Sequence, residues 1–394
     1  MVEEILAVRC GRILTPSREI SNGVILVQGS KIVSLGVNGE LTVPQGAKTL
    51  NFEDKIAVPG FLDIHIHGGG GHDVMEASEE ATISLALFAS RHGVTSILPS
   101  TVSAPHNSLL KVVRILGEMV GRETGGAEVL GINLEGPYIN PKMRGAHNSK
   151  YIRPPSVGEF KDLWKMSGEQ LKIVTLAPEL EGAEKLLAEL RKLGVVAAVG
   201  HSDATYSEVL EAVSLGLSHV THIFNGMRGF HHREPGAVGA ALLCEKLTAE
   251  VISDNIHVHP EAVRLLTKVK DPGLIVLVTD SIMAAGMPDG EYRLGNRRVT
   301  VKNGICRLKS GSLAGSTLTM EAAIRNTVQA AGLPLQVVLG MATVNPARVV
   351  GVGERKGSLE PGKDADITII DSEVNVYATI ARGKIVYEKG LLGK

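Results

Sequence analysis

Residues 61–73 read FLDIHIHGGGGHD, and the fold turns on how this stretch is placed. A strand-like apolar run carries His65 and His67 two positions apart, so both imidazoles share one face. Gly68 to Gly71 then let the chain turn tightly beside whatever that face holds. Alone, an H-x-H reads equally as a metal pair or as ordinary hydrogen bonding at a strand end. Working outward, it is the first of eight similar runs. TSILPS, VLGINLEG, KIVTLAP, VVAAVGH, SHVTHIF, AEVISD and LIVLVTD follow it as far as residue 280, separated by stretches of helical period such as SEEATISLALFASRHG. Such alternation makes parallel strands, and eight of them close an α/β (β/α)8 TIM-like barrel. A doubly wound open sheet is the competing architecture.

The flanks are written differently. ILTPSREISNG and GVILVQGSKIVSLGVNGE near the start, and GSLEPGKDADITIIDSEVNVYATIARGKIVYEKG at the end, are short alternating runs broken by turn residues. They imply a small β-sandwich domain built from both chain termini. The expected boundaries are 1–57 for its N-terminal part, 58–357 for the barrel and 358–394 for its C-terminal part.

With 44% apolar and 21% charged residues, the 394-residue chain has the composition of a folded soluble protein. It has 45 Gly against 6 Phe, 6 Tyr and 1 Trp, which suits many close-approaching loops and ill suits base stacking. The net charge of -1 provides no global field for polyanions, so no nucleic-acid partner is expected. Cys10, Cys244 and Cys306 lack C-x-x-C spacing and fit a reducing compartment. The opening MVEEILAVRCGRILT puts acidic residues where a secretory signal has basic ones. Runs such as AVGAALLC fall far short of the ~20 residues that span a bilayer. The expectation is a cytoplasmic protein without a membrane partner.

Polar residues recur where the parallel runs end: Glu135 in NLEGPYIN, His201 in VGHSDAT, His222 in THIFN and Asp280 in LVTDS. Active sites of barrels lie at the carboxyl ends of the strands, and imidazole with carboxylate suits a borderline divalent cation. Asp280 reads as a general base that takes a proton from water and hands it to a leaving amine, with metal ligand as the alternative. The loop FNGMRGFHHREPG brings Asn225, His231, His232 and Arg233 to the mouth, where Arg233 either grips an anionic group such as phosphate or makes a surface or subunit contact. His147 in RGAHN and His257 in DNIHVHP are placed to hydrogen-bond a substrate carbonyl or hydroxyl. His259, just before Pro260, reads as structural, as do His72, His92, His106 and His219, with His92 capping a helix end. No G-x-G-x-x-G on a helix start, G-x-x-x-x-G-K-[ST] or G-x-S-x-G occurs, so nucleotide cofactors and a serine nucleophile find no support.

Taken together, PGFLDIHIHG, LEGPYIN, GAHN, GHSDAT, THIFNGM, HHREPG, LVTDS, LAGSTLTM, NPAR and GKDADI resemble the N-acetylglucosamine-6-phosphate deacetylase family of the amidohydrolase superfamily over nearly the whole length. H-x-H and GKDAD are shared across the superfamily, whereas LEGP, GHSDAT and THIFNGM in this order are specific to the deacetylases. The resemblance implies hydrolysis of N-acetyl-D-glucosamine 6-phosphate to acetate and D-glucosamine 6-phosphate, in amino-sugar catabolism and cell-wall recycling. It assigns Glu135, His201 and His222 to a primary metal, with the intact His65 and His67 pair allowing a second ion that shares Glu135. One or two divalent ions are expected per subunit, zinc first, with iron, manganese and cobalt as alternatives. It gives Asp280 the base role and His147 the substrate carbonyl. Asn225, Gly226 and His257 contact the phosphosugar, and Leu313, Ala314 and Gly315 line the acetyl pocket. Arg233 becomes a phosphate clamp reaching across a homodimer. Gly226 stands where some relatives carry alanine, read as a change without functional cost. Two rival functions remain open: an amidohydrolase acting on a cyclic amide, nucleobase or amino-acid amide, and a barrel whose metal serves only binding or stability.

Overall fold

The computed structural model describes residues 4–15 and 18–390; the outermost parts of the expected terminal domain, residues 1–3 and 391–394, lie outside the described residues. Every one of the eight apolar runs forms a strand. In order these are Phe61–Ile66, Val94–Pro99, Ile132–Glu135, Leu171–Leu176, Val196–Val199, Leu217–Val220, Thr248–Val251 and Ile275–Leu277, the first to eighth parallel strands below. The third has a forerunner, Glu128–Val129, which pairs with the second strand, whereas Ile132–Glu135 pairs with the fourth. Hydrogen bonding therefore divides the parallel strands into a group of three and a group of six, joined by the bridge between Ser100 and Asn133. At the other side the end of the eighth strand lies against the first: Asp280 N donates to His65 O at 2.9 Å and Thr279 Oγ1 to Asp63 Oδ2 at 2.5 Å. The result is a curled parallel sheet in a mixed α/β chain.

Both faces of these strands are covered, which is why the first and second are buried at every position and read as continuous rather than alternating apolar text. Helices supply the outer cover. Ala183–Leu193 buries Ala183, Leu186, Leu187 and Leu190, the i, i+3, i+4, i+7 stripe of an amphipathic helix, and ends at Gly194 in the left-handed conformation. Tyr206–Leu215 begins with a capping box in which Thr205 and Glu208 satisfy each other's backbone N–H groups. Among the described residues no helix is long and apolar enough to cross a membrane.

Strands from the two ends of the chain share one seven-stranded sheet. Lys48–Pro59 lies between Ile5–Leu14, to which it is parallel, and Ile367–Ile370, to which it is antiparallel. The expected sandwich needs correction, because the strands form one hydrogen-bonded sheet rather than two separate layers. It curls until the turn at Gly29 meets the turn at Gly383, where Ala365 N also donates to Ser30 O at 2.8 Å. Where this sheet meets the parallel strands, Lys356 is buried among Glu128, Asp364 and Asp366, with Nζ distances of 2.8, 3.3 and 2.5 Å. Arg355 also pairs with Glu128, at 2.7 Å. Two of these carboxylates belong to GKDAD, so in this chain that motif fastens the terminal sheet to the parallel strands.

One element is additional to the sequence reading. Gly290–Leu294, Arg297–Lys302 and Ile305–Arg307 form a small antiparallel sheet after the eighth strand, and its apolar face packs on Val102, Ile282 and Ala314.

Candidate functional site

The carboxyl ends of the parallel strands deliver six buried donors to one point. Glu135 closes the third strand, and His65 lies within the first with His67 just beyond it. His201, His222 and Asp280 follow the fifth, sixth and eighth strands with φ of 49, 29 and 46°, a left-handed conformation that costs an L-residue about 1–3 kcal/mol and that clusters at functional sites. Glu135 is the hub. Its Oε1 lies 3.0 Å from both His201 Nε2 and His222 Nε2, and its Oε2 lies 3.2 Å from His67 Nε2 and His147 Nε2. Asp280 Oδ1 is 3.1 Å from His67 Nε2 and 3.7 Å from His65 Nε2.

At His65, His67 and His201 the outer nitrogen decides what the inner nitrogen can do, whereas the outer nitrogen of His222 is buried without a hydrogen-bond partner among the described residues. His67 Nδ1 faces the carbonyl of Ser100 at 3.0 Å and His201 Nδ1 the carbonyl of Met143 at 2.8 Å. A carbonyl only accepts, so both rings carry hydrogen on Nδ1 and turn an Nε2 lone pair inward. His65 Nδ1 likewise donates to the carboxylate of Glu250 at 2.8 Å. These lone pairs meet carboxylate oxygens, an arrangement relieved only by a second proton or by a cation. Burial opposes a second proton on His67, but the hydrogen bonds it would donate to Asp280 and Glu135 outweigh burial and lift the group to about 9. The same two carboxyls are held below their ordinary range: burial raises both, but His147 and His65 outweigh it at Glu135 and His67 does so at Asp280. A divalent cation meets both demands, since imidazoles anchored through the outer nitrogen are the usual frame of a metal site. The residues present therefore fit a cation.

His147 lies in the same cluster and is different in kind. Its Nδ1 accepts the backbone N–H of Ser103 at 3.0 Å, so the neutral ring carries its hydrogen on Nε2. Burial holds the group down at about 4, against the pull of Glu135. It presents an N–H where the other rings present lone pairs, as suits a hydrogen bond to a carbonyl oxygen.

These groups open into a cleft of about 220 Å³ lined also by Asn225, Gly226, His257, Leu313 and Gly315, so most of the sequence-derived site converges. A larger hollow of about 520 Å³ beside Gly121 to Glu128 holds no comparable donor set, so chemistry rather than size identifies the site. His257 Nδ1 donates to Asp254 Oδ2 at 2.6 Å, and this contact outweighs burial to raise the imidazole above its usual range. Three residues fall outside the cleft lining. His65 is fully buried beside His67, and Ala314 is buried in the apolar cluster of the small antiparallel sheet. Arg233 is exposed, its guanidinium 3.0 Å from His232 Nε2; Glu234 instead accepts the N–H groups of Tyr206 and Gly236.

Several sequence readings change. Gly68 and Gly71 pack not on the donors but on the loop after the eighth strand, where a Cβ at Gly68 would lie 2.7 Å from Met283 N, and Gly69 and Gly70 pack on Phe88. Gly226 has φ 58°, and a Cβ there would sit 2.7 Å from His201 Nδ1, so alanine is not a neutral exchange in this chain. His92 does cap its helix, but through its backbone N–H, which donates to the Ala89 carbonyl at 3.0 Å, while its imidazole pairs with Glu321 at 2.8 Å. His259 is structural, accepting Glu261 N as a helix cap. The sequence reading missed Ser103, Glu250 and the link from Glu250 to His219. Their partners lie 44, 185 and 31 positions away, and no local pattern joins them.

Comparison with known proteins gives these groups a context. The sequence matches the amidohydrolase family over residues 56–386. It is 36% identical to the N-acetylglucosamine-6-phosphate deacetylase of Bacillus subtilis (strain 168) over 387 residues, covering 98% of each chain. It is 40% identical to the N-acetylgalactosamine-6-phosphate deacetylase of Escherichia coli O157:H7, over 84% of this chain and 88% of that protein. Among solved structures, a mutant N-acetyl-D-glucosamine-6-phosphate deacetylase from Mycobacterium smegmatis, in complex with N-acetyl-D-glucosamine-6-phosphate, superposes with a TM-score of 0.91 at 34% identity, over 97% of this chain and 99% of that one. The chain belongs to the amidohydrolase family, alongside these deacetylases.

Proposed function

We propose that the protein hydrolyses N-acetyl-D-glucosamine 6-phosphate to D-glucosamine 6-phosphate and acetate, within amino-sugar catabolism and cell-wall recycling in the cytoplasm. The observation that carries this reading is the split among the imidazoles: inward lone pairs around Glu135, and one inward N–H at His147. Glu135, His201 and His222 would hold one divalent cation, zinc in the first instance, and His65 with His67 a second that shares Glu135. Iron, manganese or cobalt would suit the same donors. A bound cation would polarise the amide carbonyl and acidify the attacking water.

The chain's own groups then act in sequence. Asp280 takes a proton from the water as its oxygen bonds to the amide carbon, while His147 Nε2–H donates to the carbonyl oxygen. Asp280 returns the proton to nitrogen as the C–N bond breaks, releasing acetate and the amine. Asn225, Gly226 and His257 would orient the sugar, with the acetyl methyl against Leu313, Ala314 and Gly315. Arg233, exposed and outside its own cleft, would clamp the phosphate of the neighbouring subunit in a homodimer. We read residues 58–357 as a barrel closed by all eight strands, and 1–57 with 358–394 as one flanking β domain. The contacts of Asp280 and Thr279 with the first strand, and the shared seven-stranded sheet, support these boundaries.

The test is acetate release from phosphorylated and unphosphorylated N-acetylhexosamines, paired with elemental analysis of the same protein. Strong activity confined to the 6-phosphate supports the reading; equal activity on the unphosphorylated sugar overturns the clamp, and none on either overturns the deacetylase. An N-acetylgalactosamine 6-phosphate arm is motivated by the 40% identical relative and sets the epimer preference. Asp280→Asn should lower kcat by roughly 10²–10⁴ with the cation retained.

A further inference from the structure

Glu250 lies within the seventh strand and is completely buried. A carboxylate there costs several kcal/mol unless its oxygens are paired, and three donors converge on it. Oε2 accepts from His65 Nδ1 at 2.8 Å and from the backbone N–H of His222 at 3.1 Å, while Oε1 lies 3.1 Å from His219 Nε2. The backbone carbonyl of Glu250 also accepts from Ile223 N at 2.8 Å. One residue thus grips a ring from the H-x-H pair and both sides of the left-handed turn that presents His222.

We propose that Glu250 is a positioning residue for the cation seat. Its carboxylate keeps His65 in the Nδ1–H form, so that the Nε2 lone pair faces Glu135 and Asp280, each 3.7 Å away. The same oxygen holds the His222 amide, so that His222 keeps its φ of 29° and its Nε2 stays 3.0 Å from Glu135. The rival role is purely structural, a buried ion pair with His219 that stabilises the strands. The proposal rests on the reading of the donor cluster as a cation seat.

The experiment is cobalt(II) titration of the metal-stripped full-length protein against a chromogenic chelator, with visible absorption recording the coordination. Glu250→Ala should weaken binding roughly 10–100-fold, the usual cost of removing a group that orients a ligand. Glu250→Gln keeps a carbonyl oxygen able to accept from His65 and the His222 amide, so it should recover part of the affinity. His219→Gln, which removes the rival pair, should lower the melting temperature and leave the affinity in place. Parent-like binding by Glu250→Ala, or an equal loss in His219→Gln, overturns the proposal. Should Glu250→Ala fail to fold, an unchanged affinity and cobalt spectrum in Glu250→Gln overturns it as well. A parent protein that binds no cobalt sinks the cation reading itself, a different result from a parent that binds and a Glu250 variant that binds equally.

Discussion

His147 and His201 both bring Nε2 within 3.2 Å of Glu135, and by distance alone either could be a ligand. Their outer nitrogens separate them: Ser103 donates to His147, whereas Met143 accepts from His201. Replacing His147 by alanine should therefore remove one hydrogen-bond donor to the carbonyl oxygen and no metal ligand. Loss of a single oxyanion donor costs about 2.7–4 kcal/mol, or 10²–10³ in kcat. The Ser103 N–H is left buried without this acceptor, at a further cost of about 1–3 kcal/mol in stability rather than in turnover. His201→Ala should do the reverse and shed the cation. The assay is kcat and KM for acetate release, with cation content measured on the same samples and urea unfolding as a separate axis. If His147→Ala loses cation as His201→Ala does, the tautomer argument fails. A kcat within a few-fold of the parent would remove His147 from the oxyanion role whatever the metal content.

Three further outcomes follow from the geometry. Gly226→Ala forces an L-residue to φ 58° and sets a Cβ 2.7 Å from the His201 ring, displacing its 2.8 Å bond to Met143. Strain of about 1–2 kcal/mol and a lost hydrogen bond of about 1 kcal/mol should appear in urea unfolding, together with weaker cation binding; parent-like values on both counts would show that the loop yields freely. Arg233→Gln should raise KM for the phosphorylated sugar while leaving the unphosphorylated sugar and stability unchanged, because the side chain is exposed and makes no ion pair among the described residues. Lys356→Met leaves the buried Asp366 without a cationic partner and leaves Glu128 and Asp364 only their bonds to Arg355 and Lys31, which should cost about 3–5 kcal/mol at neutral pH. Burial raises Glu128 and Asp364, but Arg355 and Lys356 at the first, and Lys31 with Lys356 at the second, outweigh it and hold both carboxyls below their ordinary range. Their stabilising share is present above about pH 4 and lost as pH falls through the lowered values, so the gap between parent and variant should narrow in acid; a gap independent of pH would count against the network.

The parts of the fold that could be read from sequence were those with a local period. All eight parallel strands showed as apolar runs because both their faces are covered, and Glu135, His201, His222 and Asp280 stood out because each is a polar residue at the end of such a run. The small antiparallel sheet is less legible although YRLGNRRVTVKNGICRL alternates and carries Gly295-Asn296 and Asn303-Gly304 turns, because its strands are short and one face is exposed, so they lack the continuous apolar runs of the parallel strands. The curl of the terminal sheet was illegible for a different reason. It depends on the turns at Gly29 and Gly383 meeting, a contact between segments more than three hundred residues apart.

Histidine roles were the least legible, because a side chain's chemistry here is set by whichever group happens to face its far nitrogen. His219 and His65 look alike in sequence, each a histidine within a strand, and both bind Glu250. Only His65 has a second nitrogen within reach of Glu135 and Asp280; the second nitrogen of His219 lies 2.6 Å from the Thr248 hydroxyl. The one residue therefore supports and the other would ligate, although nothing in their flanking text distinguishes them. His147 and His201 separate in the same way, by a backbone N–H in one case and a carbonyl in the other. A motif can place imidazoles at a strand end, but the choice between holding a cation and polarising a carbonyl would rest with the groups that face the outer nitrogens: the carbonyls of Ser100 and Met143, the carboxylate of Glu250, and the backbone N–H and hydroxyl of Ser103.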